Sequence, residues 1–163
     1  MAKRVVCRHS ESIDSATSIG TCRACGQQIP SQEVTRGEKA FAFLAILFAS
    51  LPDMFYTADA GQWATAISDL RNKYEAKYPN LFRHLHFRHV PRGDSYSPEV
   101  SNFLAFLQFT DATVVHNPGF TKMQLQQTAR QLLEDRYKEF FNSQELSVVK
   151  QMSQEIADRL KKT

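Results

Sequence analysis

Three cysteines and one histidine near the start of the chain have the residue types and spacing of a zinc site. Cys7 and His9 form one close pair, and Cys22 and Cys25 form a second pair after twelve intervening residues. Zinc favours four tetrahedral nitrogen and sulfur ligands, often supplied as two such pairs. The pattern therefore predicts one structural Zn²⁺ ion held by these four side chains. Two alternatives are three unrelated buried cysteines or a redox-active Cys-x-x-Cys, although the βαβ setting of a thioredoxin-like site is absent.

The second pair is followed by Gly26, and this arrangement resembles a knuckle of the zinc ribbons over about residues 5–28. The resemblance implies a small metal-stabilised module, although the first knuckle separates its two ligands by one residue instead of two. A catalytic zinc is the alternative, because His9-x-Glu11 and the later cysteine pair resemble the signature of zinc deaminases. That signature has a proline before the cysteine pair, which this chain lacks, and Cys7 would fill the position that a substrate water needs. A structural role is therefore expected.

Basic side chains are the second chemically suggestive group, because Lys and Arg contact the phosphates of nucleic acids. The 163-residue chain has a net charge of +3, and the segment from Arg71 to Arg92 has six Lys or Arg against the single acid Glu75. This charge permits a nucleic-acid partner, and a solvated helix face is an equally open interpretation. The predicted phosphate contacts are Arg4, Arg8, Arg23, Arg83, Arg88, Arg92 and Lys122.

Three histidines in the same segment allow a second metal site. On a strand, successive side chains alternate, so His84 and His86 would share one face while His89 points away. Two ligands do not complete a site, and no acid on that strand adds a third. Polar residues at a strand edge are the preferred interpretation.

The elements that position these residues fall into three parts, with predicted boundaries at 1–36, 37–142 and 143–163. Ile29–Gly37 is predicted to be a linker. Leu81–Val90 is predicted to be a strand, and the alternative is a helix that would align Phe82, Leu85, His86 and His89. Helical spacing and capping residues predict five helices, over about residues 38–51, 58–77, 98–110, 128–142 and 143–162.

The stretch Tyr96–Val100 leading into the third helix, with strands at Ala112–His116 and Met123–Leu125, resembles a winged helix-turn-helix domain over about residues 38–141. The resemblance implies a fold that is mainly α with a small β wing, beside a small N-terminal zinc ribbon. It also implies that Leu81–Val90 pairs next to the wing. Winged helices usually place the third helix in the major groove of DNA. A zinc-stabilised, DNA-binding transcriptional or similar regulator is therefore the leading hypothesis.

The third helix lacks one feature of a DNA-reading helix. Pro98–Thr110 contains no Lys or Arg, so nothing in it anchors to phosphate. An uncharged surface suits protein contact better, and the alternative hypothesis is a non-enzymatic protein-interaction module such as an inhibitor or antitoxin-like adaptor. Gly93–Pro98 resembles the G-P-Y-S segment of Panacea-type antitoxin domains, with Asp94 and Ser95 interrupting the pattern.

The last helix has an apolar stripe close to heptad spacing. Two interpretations remain open, packing on its own domain and the seam of a homodimer. The stripe consists of Leu146, Val149, Met152, Ile156 and Leu160.

Other function classes are disfavoured. No nucleophile triad, phosphate-binding loop or dinucleotide fingerprint is present, so an enzyme is not expected. The longest apolar run, Ala40–Leu51, is shorter than the roughly 20 residues that span a bilayer, so no membrane partner is predicted. An odd number of cysteines and the absence of a secretory leader indicate a reducing cytoplasm.

Overall fold

The chain divides into two compact units, Met1–Lys39 and Ala40–Thr163. In the first unit, strand β1 (Gly20–Thr21) pairs antiparallel with strand β2 (Gln28–Ile29). The computed structural model describes residues 20–21, 28–29, 31–91, 93–110, 112–116 and 121–161.

Helix α1 spans Ser31–Ala49, so the predicted linker is wrong from Ser31 onwards. Gly37 is the one residue in residues 31–37 that strongly disfavours a helix, at a cost of about 1 kcal/mol. The apolar turns that follow outweigh this cost by packing. Residues 42–48 are all buried, so this part of α1 is a central segment that is apolar on every side.

The second unit continues with short strands and further helices. It is mainly helical with small antiparallel sheets, which confirms the fold class at this coarser level. Its elements after α1 are β3 (Tyr56–Thr57), α2 (Ala60–Tyr74), α3 (Pro79–Phe82), β4 (Arg88–His89), β5 (Ser95–Tyr96), α4 (Pro98–Phe109), β6 (Thr113–His116), β7 (Lys122–Leu125), α5 (Gln127–Tyr137), a 3-10 turn (Lys138–Phe140) and α6 (Ser143–Leu160).

A three-stranded sheet contains the two strands that the sequence predicted at Ala112–His116 and Met123–Leu125. Strands β6 and β7 pair antiparallel, with Val115 opposite Met123, which confirms that prediction. The third strand is β3, whose Tyr56 lies opposite Met123 on the other side of β7. The order β3-β7-β6 therefore joins the segment before α2 to the segment after α4.

The prediction that Leu81–Val90 is a strand pairing beside this sheet is wrong. Pro79 occupies the first turn of α3, a position where its fixed φ favours a helix. The turn buries Phe82 and Leu85 in a pattern that alternation along a strand would not give. Only Arg88–His89 is extended, and it pairs with β5 to form a separate hairpin.

Aromatic side chains occupy the centre of the second unit. Trp63 is fully buried, and its ring lies 4.4 Å from that of Phe48. Phe48 also contacts Phe103 of α4 at 5.1 Å, and Phe43 contacts Phe82 at 5.2 Å. These pairs connect α1 to α2, α3 and α4 and so fix the position of α4.

Helix α6 packs on its own unit. Val149, Met152 and Ile156 of its apolar stripe are buried, and the hydroxyl of Ser153 donates a hydrogen bond to the carbonyl of Leu47 in α1 at 2.7 Å. Of the two interpretations of this stripe, the structure therefore supports packing within the chain. The stripe does not offer these buried side chains to a second copy.

Candidate functional site

The predicted zinc ligands Cys7, His9, Cys22 and Cys25 lie outside the described residues. In the sequence, the second cysteine pair falls between β1 and β2, which are paired in register. Four predicted phosphate contacts also lie outside the described residues, namely Arg4, Arg8, Arg23 and Arg92.

The three histidines do not share a strand, so the expectation that His84 and His86 lie on one strand face is wrong. Both precede β4, which contains only His89. His89 Nδ1 lies 3.4 Å from the Ser95 hydroxyl, and His86 Nδ1 lies 2.7 Å from Glu99 Oε1. Across the described ranges, no three His, Cys, Asp or Glu side chains are grouped to hold a metal ion.

Glu99 connects the first turn of α4 to the segment before β4. Its carboxylate accepts hydrogen bonds from the backbone N–H of His86 at 3.1 Å and from the Ser97 hydroxyl at 3.0 Å. Burial alone would raise the pKa of Glu99, but hydrogen bonds from His86 and Ser97 outweigh it and hold the pKa below its ordinary value. Glu99 therefore has a positioning role at the start of α4, where the Ser97 side chain caps the helix by accepting a hydrogen bond from the backbone N–H of Val100.

Some cations of the basic segment 71–92 pair with side chains of the protein itself, and others are exposed to solvent. Arg71 pairs with Glu75 at 3.1 Å, and its guanidinium lies 5.9 Å from the centre of the Phe87 ring. Lys73 pairs with Glu155 of α6 at 2.9 Å. These cations stabilise contacts within the protein, which favours a solvated helix face over a phosphate-binding surface for this part of the segment.

Arg83 and Arg88 are exposed, and neither forms an ion pair with another residue in the described part of the chain. Lys122 is also exposed, at the start of β7, where it lies opposite His116 of β6. Three predicted phosphate contacts are thus accessible.

A cleft of about 270 Å³ lies between α2 and α6. Its charged groups satisfy one another. Glu155 accepts hydrogen bonds from Lys73 at 2.9 Å and from the Tyr74 hydroxyl at 2.5 Å, and Arg159 pairs with Asp69. These pairs hold the two helices together, and they leave the cleft without an unpaired acid or base among these residues.

Helix α4 has one buried side and one exposed aromatic side. Its residues Val100, Phe103 and Leu107 are buried in the core. Phe106 is 38% exposed and Phe109 is 89% exposed. Residues three apart lie on the same helix face, so these two phenylalanines form one apolar patch on a helix that carries no cation.

The patch continues onto α1 and the end of α5. The Phe106 ring lies 4.9 Å from that of Phe41, which lies 5.4 Å from that of Tyr137. Tyr137 lies 5.9 Å from Phe140, which is 41% exposed. We call Phe41, Phe106, Phe109, Tyr137 and Phe140 the aromatic surface.

Sequence reasoning identified α4 but missed the exposure of its aromatic side. The signal was present, because apolar residues at 100, 103, 104, 106, 107 and 109 cover a wider arc than one buried stripe needs. A helix of this kind must either be enclosed on all sides, as residues 42–48 of α1 are, or expose part of its apolar surface.

Comparison with known proteins identifies no matching family, no similar curated protein and no similar solved structure. No helix among the described residues is both long and apolar enough to cross a membrane.

Proposed function

We propose that this chain is a non-enzymatic protein-interaction module, of the inhibitor or antitoxin-like adaptor type, built on a winged-helix-like body. The order of helices and the pairing of β3, β7 and β6 support this winged-helix assignment. The observation that carries the function is the aromatic surface, because α4 exposes phenylalanines where a DNA-reading helix exposes cations and hydrogen-bonding groups.

Exposed aromatic residues are a typical feature of protein contact sites. Protein interfaces are enriched in aromatic side chains and depleted in charged ones at their centre. Burying a phenylalanine side chain that is now in water contributes about 1.5–3 kcal/mol. Phe109 is 89% exposed, so its burial in a complex would contribute more free energy than burial of any other member of the aromatic surface. Phe109 is therefore the proposed anchor.

The charge beside this surface indicates the kind of partner. Arg136 lies 5.7 Å from the centre of the Tyr137 ring and is exposed. It forms no ion pair within the described ranges, whereas Lys138 pairs with Asp135 at 3.2 Å. The proposed occupant is therefore another protein with an apolar centre for Phe109 and an acidic rim for Arg136.

The test compares matched substitutions in the full chain. Phe109→Ser removes the anchor, and Leu132→Ser changes an exposed apolar residue of α5 that is not part of the aromatic surface. A protein that the wild-type chain captures in a 1:1 molar ratio is purified. Its affinity for the wild type and for each variant is then measured by calorimetry. We expect Phe109→Ser to weaken binding at least about tenfold, with Leu132→Ser unchanged.

The charge prediction gives a second result. Arg136→Glu should weaken the same complex by slowing association, and the difference should shrink in high salt. Equal affinities of the wild type and Phe109→Ser for the partner would refute the proposed surface. A concentration-dependent dimer that Phe109→Ser dissolves would identify a second copy of the chain as the occupant and refute the heterologous partner.

We also propose that the first unit binds one structural Zn²⁺ ion through Cys7, His9, Cys22 and Cys25. The pairing of β1 with β2 supports this proposal, because a short antiparallel pair at both sides of a Cys-x-x-Cys suits a zinc ribbon. A segment this short has too little core to be stable alone, and metal binding would supply the missing free energy.

Nucleic-acid binding is the second candidate function, favoured by the exposed cations Arg83, Arg88 and Lys122, which form no ion pair among the residues that the structure describes. The cations of the first unit and Arg92 would add to this charge. The test is the salt dependence of binding to labelled duplex and single-stranded oligonucleotides, since phosphate contacts release counterions. A flat dependence on salt, or no binding at low salt, would remove this candidate.

A further inference from the structure

The hairpin of β4 and β5 is fixed against α2 by its inner face. Arg88 lies opposite Tyr96, and His89 lies opposite Ser95. Ser95 is buried, and its backbone N–H donates a hydrogen bond to the Thr65 hydroxyl at 2.8 Å. Since neighbouring residues of a strand point to opposite faces, Arg88 and Tyr96 share the outer face.

The end of the hairpin is closed by its own backbone. The N–H of Val90 bonds to the carbonyl of Asp94 at 3.2 Å, and the N–H of Gly93 bonds to the carbonyl of Val90 at 3.1 Å. Gly93 has a φ of 104°, which glycine adopts without strain. The anchored inner face and the closed turn together hold the outer face in one geometry.

The outer face combines a cation and an aromatic ring in water. Tyr96 and Val90 are each 47% exposed, and Arg88 is exposed. Directly opposed residues have Cβ atoms about 4.5–5.5 Å apart, so the Arg88 and Tyr96 side chains leave the backbone from neighbouring positions on the outer face. Within the described ranges, no acid forms an ion pair with Arg88.

The nearby acids Glu99 and Asp94 lie against other parts of the chain. Glu99 bonds to His86 and Ser97, as described above. The side chain of Asp94 lies beside Gly61, in the first turn of α2, where the positive end of the helix dipole favours a carboxylate. The outer face therefore presents positive charge beside an unshielded ring.

We infer that this outer face binds an unpaired strand of nucleic acid, with a base stacked on Tyr96 and the adjacent phosphate held by Arg88. This inference rests on the second candidate function and specifies its ligand. A base within a duplex is already stacked on both sides, whereas an unpaired base can stack on an exposed tyrosine. Sugar identity has no part in this contact, so RNA and DNA strands share the chemistry.

The experiment measures fluorescence anisotropy of labelled oligo(dT), oligo(U) and a mixed duplex, each of about 12 nucleotides or base pairs, with the full chain. We expect both unpaired strands to bind more tightly than the duplex. Tyr96→Ala should weaken this binding about tenfold, whereas Tyr96→Phe, which keeps the ring, should leave it unchanged. Thermal melting of each variant verifies that it is folded.

The phosphate contact has its own measurement. The slope of log affinity against log salt is negative, and Arg88→Ala should reduce its magnitude by about 0.7, the value for one phosphate of a single strand. Arg88→Lys should retain the slope, and Lys150→Gln should not change it, because Lys150 is held near Glu134 at 3.6 Å on another part of the chain.

The outcomes separate this inference from the function on which it rests. If the duplex binds as tightly as the strands, and Tyr96→Ala and Arg88→Ala bind like the wild type, nucleic-acid binding stands and the hairpin inference is refuted. If none of the three oligonucleotides binds, both nucleic-acid binding and the hairpin inference are refuted. If oligo(U) binds and oligo(dT) does not, the strand is read through its sugar and the stacking mechanism is refuted.

Discussion

Arg130 is a buried cation whose removal should destabilise the second unit. It lies in the first turn of α5 and is 7% exposed. Its guanidinium donates hydrogen bonds to the carbonyls of Leu51 and of Pro52, the latter at 3.4 Å, just beyond the end of α1. Its Nε donates to the carbonyl of Leu125 at 3.2 Å, at the end of β7. One side chain thus connects the central helix, the sheet and α5.

The expected cost of Arg130→Ala follows from these contacts. The residues Leu51 and Leu125 are buried, so water has restricted access to the carbonyls that lose their donor. A buried polar group without a partner costs about 1–3 kcal/mol, and two such groups are created. Removing the guanidinium also removes the free-energy cost of burying its charge, and this offsets part of the loss. We therefore expect a net loss of about 3 kcal/mol, which lowers Tm by about 6–12 °C in a chain of this size.

The assay is urea unfolding followed by tryptophan fluorescence. Trp63 is the single tryptophan and is fully buried, so its emission reports on the core of the second unit. Arg136→Ala on the same helix is the control, because Arg136 is exposed and surface substitutions stay within about 0.5 kcal/mol. If Arg130→Ala unfolds within about 1 kcal/mol of the wild type, the reasoning that one guanidinium holds these carbonyls is refuted.

Three further predictions concern the metal, pH and the hairpin. Cys22→Ser should release one Zn²⁺ per chain by atomic absorption and leave the Trp63 unfolding transition in place, and metal-free wild-type protein from a gentle purification would contradict it. Burial would raise the pKa of Glu155, but hydrogen bonds from Lys73 and Tyr74 hold it below its ordinary value of 4.5. The stability that ionised Glu155 contributes is therefore present above pH 4.5 and lost as pH falls through its lower folded pKa, so Glu155→Gln should be less stable than the wild type at neutral pH and the gap should close in acid. A gap that does not change with pH would refute this. Gly93→Ala should destabilise the hairpin by about 1 kcal/mol, because φ is positive there, and unchanged hydrogen exchange at the Val90 amide would count against it.

Local signals predicted much of the fold. Ser97 before Pro98 marked the start of α4. The Asp59 carboxylate caps α2 by accepting hydrogen bonds from two backbone N–H groups. Such caps depend on residues within one turn, so the sequence contains all the information they need. Strand β3 was not predicted, because two residues are too few to show a periodicity. Tyr56–Thr57 is a strand only because it pairs with β7, which lies far away in the sequence.

For the same physical reason, the sequence alone could not predict which charged residues remain available to contact a ligand. Lys73 and Arg88 look alike as members of one basic segment. Lys73 is neutralised by Glu155, 82 residues later in the chain, whereas Arg88 faces solvent. The count of charges in a segment predicts its potential for phosphate contact, but long-range packing decides which cations remain available.

The two candidate surfaces occupy opposite ends of α4, and this arrangement separates their tests. Strand β5 and the Glu99 contacts lie at the first turn, whereas Phe109 is the last residue of the helix. A helix rises 1.5 Å per residue, so these ends are about 17 Å apart, well beyond the Debye length of about 8 Å at physiological salt. A protein seated on Phe109 therefore need not cover Tyr96, and a strand bound at Tyr96 need not touch Phe109. Phe103 holds the middle of α4 in the core, between the two surfaces, so each hypothesis is tested by its own variants.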